Sequence, residues 1–388
     1  MKTTNINKLT SSRNSLKETG FHTRTAAITN HFVEHAGYSL PARYSDNFTA
    51  EYWACRRNTT VMDLSSLRKF EILGPDAETL LQYCLPRSIN RVSVGQVIYS
   101  PLCNELGGMV GDGTLFRLGL DNFRWVGVTD FDGEWLEHHA KKLNLKVYVR
   151  PSSGVLDNIS IQGPKSRDAL RNIIWTSPTQ PTLDELRWYR FAIARLHNFD
   201  GVPIILSRTG YTGELGFEIW CHRNHAIDVW DSVLDSGANL GITPMGLEAL
   251  DCLRIEAGFI SPGHEYNDQT NPYEAGINPA ILHRPKNEHF IGKQVLDEKS
   301  QSQPRQLVGL VLSPDSVAKH GDLIHVKNNC IGEVTSTTYS PTLERNIALA
   351  KISRQSKPSD EVTVGDSLAQ GRVVRLPFHD PQNLRIRA

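Results

Sequence analysis

The chain has 388 residues, 39% of them apolar and 22% charged, which suits two or three hydrophobic cores in an ordinary globular protein. Lys plus Arg and Asp plus Glu both number 42, so no global field favours nucleic acid or an anionic membrane surface as a partner. No apolar run approaches the roughly 20 residues that span a bilayer, and the six cysteines form no CxxC pair, which fits reduced thiols better than a disulfide frame or a zinc site.

Residues 1–25 hold several Lys and Arg among many Ser, Thr and Asn, with Glu18 as the single acid. They lack the apolar core of a secretory signal. Organelle transit peptides share this bias, but no amphipathic face is visible, and a flexible tail is expected. The expected location is the cytoplasm, or the mitochondrial matrix if the protein is eukaryotic.

An internal echo follows. Lys69-Phe-Glu-Ile-Leu-Gly-Pro-Asp-Ala-Glu-Thr-Leu-Leu81 and Asn158-Ile-Ser-Ile-Gln-Gly-Pro-Lys-Ser-Arg-Asp-Ala-Leu170 share one plan. Apolar residues alternate (Phe70, Ile72; Ile159, Ile161) at strand period. A Gly-Pro then ends the strand and starts a helix, with proline preset for the first turn. The spacing predicts two related α+β subdomains packed together.

Between the echoes lies Tyr99-Ser-Pro-Leu-Cys-Asn-Glu-Leu-Gly-Gly-Met-Val-Gly-Asp112, followed by Leu115 and Leu118. Asp112 sits after a glycine-flanked turn, where proximity to backbone and one-sided shielding can shift its pKa. An Asp beside glycine also commonly does no more than bind turn amides. The cluster lacks the Gly-Lys-Ser/Thr ending of a phosphate loop. Residues 134–143 read as a short helix leading into Leu145, Val147 and Val149 at strand spacing. His138 and His139 on it read as solvated, His222 and His264 are read as lacking a ligand-spaced partner, and no metal is expected.

Ser207-Arg-Thr-Gly-Tyr-Thr-Gly-Glu-Leu-Gly-Phe-Glu218 packs three glycines and two aromatics into twelve residues and closes on a carboxylate. Glycine serves where backbone turns sharply or approaches a ligand closely. Tyr211 and Phe217 offer flat faces and Glu218 can accept paired N–H donors, an outfit suited to a flat, donor-rich heterocycle such as a pterin. A glycine-rich hairpin with core aromatics fits the same composition. Next, Ile227, Trp230 and Leu234 mark a helix that Gly237 could cap, and residues 246–258 carry another. From about Gln306 short β-rich runs recur at close intervals (308–312, 323–326, 332–334, 347–352, 372–375), which predicts a small barrel or sandwich. The expected divisions are a tail over 1–25, a two-subdomain unit over 26–296 and a β domain over 306–388.

Taken together, the stretches ending at Asp112 and Glu218 resemble signature segments of the aminomethyltransferase family, the tetrahydrofolate-using T-protein of glycine cleavage and its relatives. Further similar segments are Gln162-Gly-Pro164, Asp251-Cys-Leu-Arg-Ile-Glu-Ala-Gly258, Thr270-Asn-Pro-Tyr-Glu274, Phe290-Ile-Gly-Lys293 and Tyr339-Ser-Pro-Thr-Leu343, in family order over roughly residues 35–355. The resemblance implies an α+β cloverleaf, with two related folate-binding subdomains, a central folate channel and a small C-terminal β-barrel. It implies a one-carbon transferase in which Asp112 is the catalytic acid, Tyr99 and Tyr211 belong to the folate site, and Glu218 holds the pterin. Tetrahydrofolate is the implied cofactor and a small N-, S- or O-substituted one-carbon donor the implied partner.

Several positions depart from the T-protein pattern. Ser66 stands where that enzyme has a histidine, Gly111-Asp112 replaces its Asp-Asp, Val128 aligns with an asparagine, and Leu250 replaces an arginine that serves the folate tail. Asp112-Gly-Thr-Leu-Phe-Arg-Leu118 is also similar to the folate domains of sarcosine and dimethylglycine oxidases. Thr129-Asp-Phe-Asp132 is similar to folate-dependent demethylases of sulfonium or aryl methyl ether donors. Two alternatives stay open: the glycine-cleavage enzyme itself, with a lipoyl carrier protein as partner, and a folate-binding protein without transfer activity.

Overall fold

In the computed structural model, which describes residues 16–278, 282, 289–300 and 302–388, two sheets face each other and a barrel closes one side. The first sheet is antiparallel, in the order Val97–Cys103, Met109–Arg117, Asn122–Gly127, Arg68–Leu73, Tyr148–Pro151. The second has seven strands, ordered Ile174–Thr176, Phe191–Leu196, Pro203–Ser207, Gly216–His222, Leu156–Gln162, Thr59–Asp63, Ile242–Pro244, with only the last pair parallel. Each sheet buries one face under its own helices. Val97, Phe116 and Val126 of the first and Phe191 and Trp220 of the second form an apolar cluster between them.

The echo in the sequence is an echo in the hydrogen-bond register. Leu73 pairs with Asn122 and Arg68 with Gly127; at the same spacing Gln162 pairs with Gly216 and Asp157 with Cys221. The next residue, Gly74 or Gly163, donates its N–H to Asp121 or Leu215, immediately before the partner strand begins. Both glycines have positive φ, 132° and 128°. A Cβ there would lie 2.3 Å from the Lys146 carbonyl oxygen or 2.5 Å from that of Asn58. These are backbone approaches that only glycine tolerates. The helices Ala77–Cys84 and Ser166–Leu170 follow, burying Ala77, Leu80 and Leu81 in one case and Ala169 and Leu170 in the other. Two related α+β units therefore stand back to back.

The third unit is a closed six-stranded barrel: Arg305–Leu312, Arg345–Ser353, Asn329–Ser340, Leu323–Val326, Glu361–Val364, Ala369–Val374. Its Glu361–Val364 strand was not foreseen, because a four-residue strand inside a polar stretch has no distinctive period. After the barrel the chain returns to the first two units. Phe378 donates its N–H to Glu256 O, and Arg385 Nε donates to Glu214 Oε2 at 2.8 Å. Residues 306–388 are thus a barrel plus a strap.

Three expectations need correction. The flexible tail expected over 1–25 stops short. Thr19 Oγ1 bonds Asp63, Gly20 N–H bonds Asp157 at 2.7 Å, Phe21 is fully buried, and the helix His22–Ala26 follows; residues 1–15 lie outside the described residues. Gly237 does not cap its helix. It is the last residue of Ala226–Gly237, packed so closely that a Cβ would meet Ile242 at 2.7 Å, and the left-handed stop is Gly241 at φ 74°. His139 is not solvated. It is fully buried beside Trp135 and Tyr83, with ring centroids 4.6 and 5.6 Å away.

Candidate functional site

A β-bulge prepares the site. The register slips between Leu102, opposite Gly111, and Cys103, opposite Met109. Such an extra residue re-aims the strand that carries it, here just before Asp112. The adjoining turn is pinned from outside: Met109 N–H donates to Thr270 O, and Asn104 Nδ2 donates to Asp268 O at 2.8 Å. A Cβ on Gly108 would lie 1.8 Å from that Asp268 oxygen. The Gly-Gly in this segment accommodates a neighbouring loop, not a phosphate.

That loop delivers a group the sequence did not single out. Tyr266 Oη donates to Asp112 Oδ1 at 2.6 Å, while Tyr99 Oη donates to Oδ2 at 2.8 Å. Two phenols, not turn amides, therefore hold the carboxyl. Charge-assisted bonds of this kind contribute about 1.5–3 kcal/mol each and favour the anion. Even so the Asp112 pKa is raised, because desolvation outweighs both phenols. Both phenols are also pushed up, first by burial and then by the charge of Asp112.

Tyr266 is in turn held by its neighbour. Glu265, fully buried, accepts from Arg254 Nη1 at 2.9 Å, Thr335 Oγ1 at 2.8 Å and Ser336 Oγ at 2.6 Å. Thr335 and Ser336 lie on the barrel strand Asn329–Ser340. The barrel thus fixes the loop that places Tyr266 on Asp112.

Glu218 stands on the facing sheet. Its Oε2 accepts from Thr209 Oγ1 at 2.6 Å, Thr209 Oγ1 is 2.8 Å from Ser207 Oγ, and Trp220 Nε1 donates to Ser207 at 3.1 Å. Burial raises the Glu218 pKa, against the pull of these hydroxyls and of Lys69. Lys69 itself is fully buried between the sheets, donates to Ser65 O at 2.8 Å, and is pushed down to about 7 by desolvation.

The glycines of 207–218 turn out to serve Gln162. A Cβ on Gly210 or on Gly216 would sit 2.1 Å from Gln162 Oε1. The amide lies in the space they leave, donating to Thr209 O at 3.1 Å and accepting from Thr212 Oγ1 at 3.0 Å. The Gln-Gly-Pro and glycine-rich segments are one interlocked device. Tyr211 donates to Ile260 O and stacks on Phe259 with centroids 5.5 Å apart and planes 20° from parallel. Phe217, offered by the sequence as a flat face, is instead fully buried in the core of the seven-stranded sheet.

Tyr99, Asp112, Tyr211 and Glu218 share an unusual environment. Each keeps part of its surface accessible, yet each is surrounded by protein closely enough for desolvation to dominate its pKa. Partly accessible groups with so little solvent around them are ones a bound molecule can reach. Tyr189 has the same character and was missed. Its pKa is pushed up to about 12 by burial and then by the charge of Glu218, with Asp112 acting on it too, so it lies within the field of both acids. Only its φ of 57° sets its backbone apart, and that is invisible in sequence. Aromatic faces with an acid on each facing sheet suit a flat heterocycle with a donor-rich edge.

Three of the four departures from the T-protein pattern have defined local surroundings; nothing in the structure explains Val128. Ser66 Oγ lies 2.8 Å from His35 Nδ1, so a histidine is present but comes from another strand. Leu250 packs against the cluster of Tyr52, Met62 and Leu253. Gly111 faces the buried carboxyl of Asp132, which would lie 2.6 Å from a Cβ at that position.

Comparison with known proteins agrees with this fold. Residues 21–283 match the GCVT N-terminal domain and 305–380 the glycine cleavage T-protein C-terminal barrel domain. The chain belongs to the glycine-cleavage T-protein family. T-protein relatives include an aminomethyltransferase of Pseudothermotoga lettingae, 33% identical over 353 residues, or 89% of this chain and 93% of that one. The solved aminomethyltransferase T of Bartonella henselae superposes with a TM-score of 0.82 at 26% identity, covering 95% of this chain and 99% of that chain. A trimethylamine-oxide aldolase of Ruegeria pomeroyi is 47% identical over 381 residues, 96% of this chain, which spans about half the length of that relative (48%). Aminomethyltransferases of the T-protein family are folate-dependent enzymes that move one-carbon units. No helix among the described residues is long and apolar enough to cross a membrane.

Proposed function

We propose that the chain transfers a one-carbon unit from a small donor, an N-methylated amine or amine oxide first among the candidates, to N5 of tetrahydrofolate. The observation that carries this reading is the pairing of Asp112 with Tyr99 and Tyr266 on one sheet, opposite Glu218 on the other. Tetrahydrofolate would supply N5 as the nucleophile. Glu218 accepts the paired N–H groups of the pterin edge and orients the ring, a positioning effect. Asp112 stabilises positive charge developing at the reacting nitrogen and takes up the departing proton. Tyr99 and Tyr266, one on each oxygen, fix the orientation of the Asp112 carboxyl, and Tyr189 and Tyr211 supply flat walls. The 47% identity to an enzyme named for trimethylamine oxide, against 33% to an aminomethyltransferase, favours the amine-type donor.

A second reading is aminomethyl transfer from a lipoyl carrier protein. Nearly full-length similarity to aminomethyltransferases supports it; Ser66 and Leu250 count against it. The test is single-turnover conversion of tetrahydrofolate with a panel of N-methyl amines, amine oxides, sulfonium and aryl methyl ether donors, beside aminomethylated lipoyl carrier protein. Turnover with an N-methyl donor, reduced about 10²- to 10⁴-fold by Asp112→Ala, is the expected result. Ammonia release from the lipoyl carrier alone would favour the second reading, and an Asp112→Ala enzyme within tenfold of wild type would overturn the assigned chemistry.

A further inference from the structure

Asp132 is a buried acid with no role in the chemistry above. It lies in the first turn of the helix Phe131–Lys142 and is 1% exposed. Trp125 Nε1 donates to its Oδ2 and Thr129 Oγ1 to its Oδ1, both at 3.0 Å. It does not cap its helix, whose N-cap position is Asp130.

The carboxyl instead presses on bare backbone. A Cβ on Gly111 would lie 2.6 Å from Oδ1, and one on Gly127 only 1.9 Å from Oδ2. Gly111 immediately precedes Asp112, and Gly127 pairs with Gly113, which immediately follows it. The glycines around Asp112 therefore clear a site for a second carboxyl against the strands that hold the first. Side chains alternate faces along a strand, so Asp132 approaches from the side opposite the Asp112 side chain.

We propose that Asp132 is a positioning residue of the transfer reaction, its protonation setting how much negative charge stands behind Asp112 and Tyr266. The inference rests on the transfer reading above. The acids are coupled: the charge of Asp112 raises Asp132, and that of Asp132 raises Tyr266. Asp130, itself paired with Arg68 at 2.8 Å, raises Asp132 as well. Burial is the main cause that brings its pKa to about 7. Below neutrality the proton stays on Asp132. Above it the Asp132 charge stands behind the strand, which favours positive charge developing beside Asp112.

The deciding experiment follows single-turnover transfer from pH 5.5 to 9, with the donor found active in the panel, in wild type and in Asp132→Asn, which keeps the shape and can still accept from Trp125. Wild type should accelerate roughly three- to tenfold through neutrality, the influence of one partly screened charge. Asp132→Asn should stay at the acid-limb rate throughout, with tetrahydrofolate affinity unchanged at pH 6. A readout independent of activity is the 13C NMR titration of aspartate carboxyls. One should titrate near neutrality, vanish in Asp132→Asn and move down by about one pH unit in Asp112→Asn. Superimposable pH profiles, or an Asp132 that titrates below pH 5, would overturn the proposal. Loss of turnover in Asp112→Ala alongside such a result would leave the transfer reading standing. If Asp112→Ala itself kept the wild-type rate, the transfer reading would fall first.

Discussion

The two subdomains run the same strand–glycine–helix unit in the same register, yet they hold their acids by different means. On the seven-stranded sheet Glu218 is held by a local device: Thr209 and Ser207 lie within twelve residues of it, and Gln162 sits on the adjacent strand. On the five-stranded sheet Asp112 depends on distant chain, with Tyr266 lying 154 residues away and locked by a barrel strand. A locally built anchor suits a group that must only grip. An acid completed by another unit has its hydrogen bonds, and so its charge, under separate control.

If the division is right, the acids fail differently when removed. The largest effect should be Asp112→Ala, with transfer down about 10²- to 10⁴-fold and tetrahydrofolate affinity nearly unchanged by calorimetry. Loss of affinity matching the loss of rate would erase the distinction. Glu218→Gln should reverse the pattern. Its tetrahydrofolate Kd should rise roughly tenfold or more, the effect of losing a charged hydrogen-bond acceptor, while the rate at saturation changes less. Tyr266→Phe should slow transfer about tenfold, in keeping with one lost bond to a charged group, and should leave Kd within twofold. Smallest for chemistry, Gly210→Ala should act through stability. Its methyl meets the Gln162 amide at 2.1 Å, and overpacking of this kind costs about 1–3 kcal/mol in chemical denaturation. A fully stable Gly210→Ala would mean that the interlock is looser than its geometry.

Much of this was legible in the residues. The Gly-Pro echo carried the pseudo-repeat because a positive-φ glycine pressed on a carbonyl leaves one choice of residue. Asp112 and Glu218 were visible because each follows glycines, and resemblance assigned their chemistry. Tyr266 and Tyr189 were not. A tyrosine in a loop has no period to reveal its direction, and its partner can lie more than a hundred residues away. His139 misled for the opposite reason. Its polar neighbours suggested solvent, but in a helix the residues three and four away decide burial; Leu136, three before it, is in the core, and Trp135, four before it, packs against that core. Asp132 was noticed only as part of a family-like string, since the space that admits it depends on glycines in two other strands.

The barrel strand that holds Glu265 has one more consequence. Thr335 and Ser336 govern the second phenol through an intermediate buried acid, so hydroxyl-deleting changes far out on the third unit should detune reactivity while the pterin's grip survives. Exchanging barrels between relatives would then transplant catalytic temperament together with a scaffold, giving selection a dial on turnover that never meets the ligand.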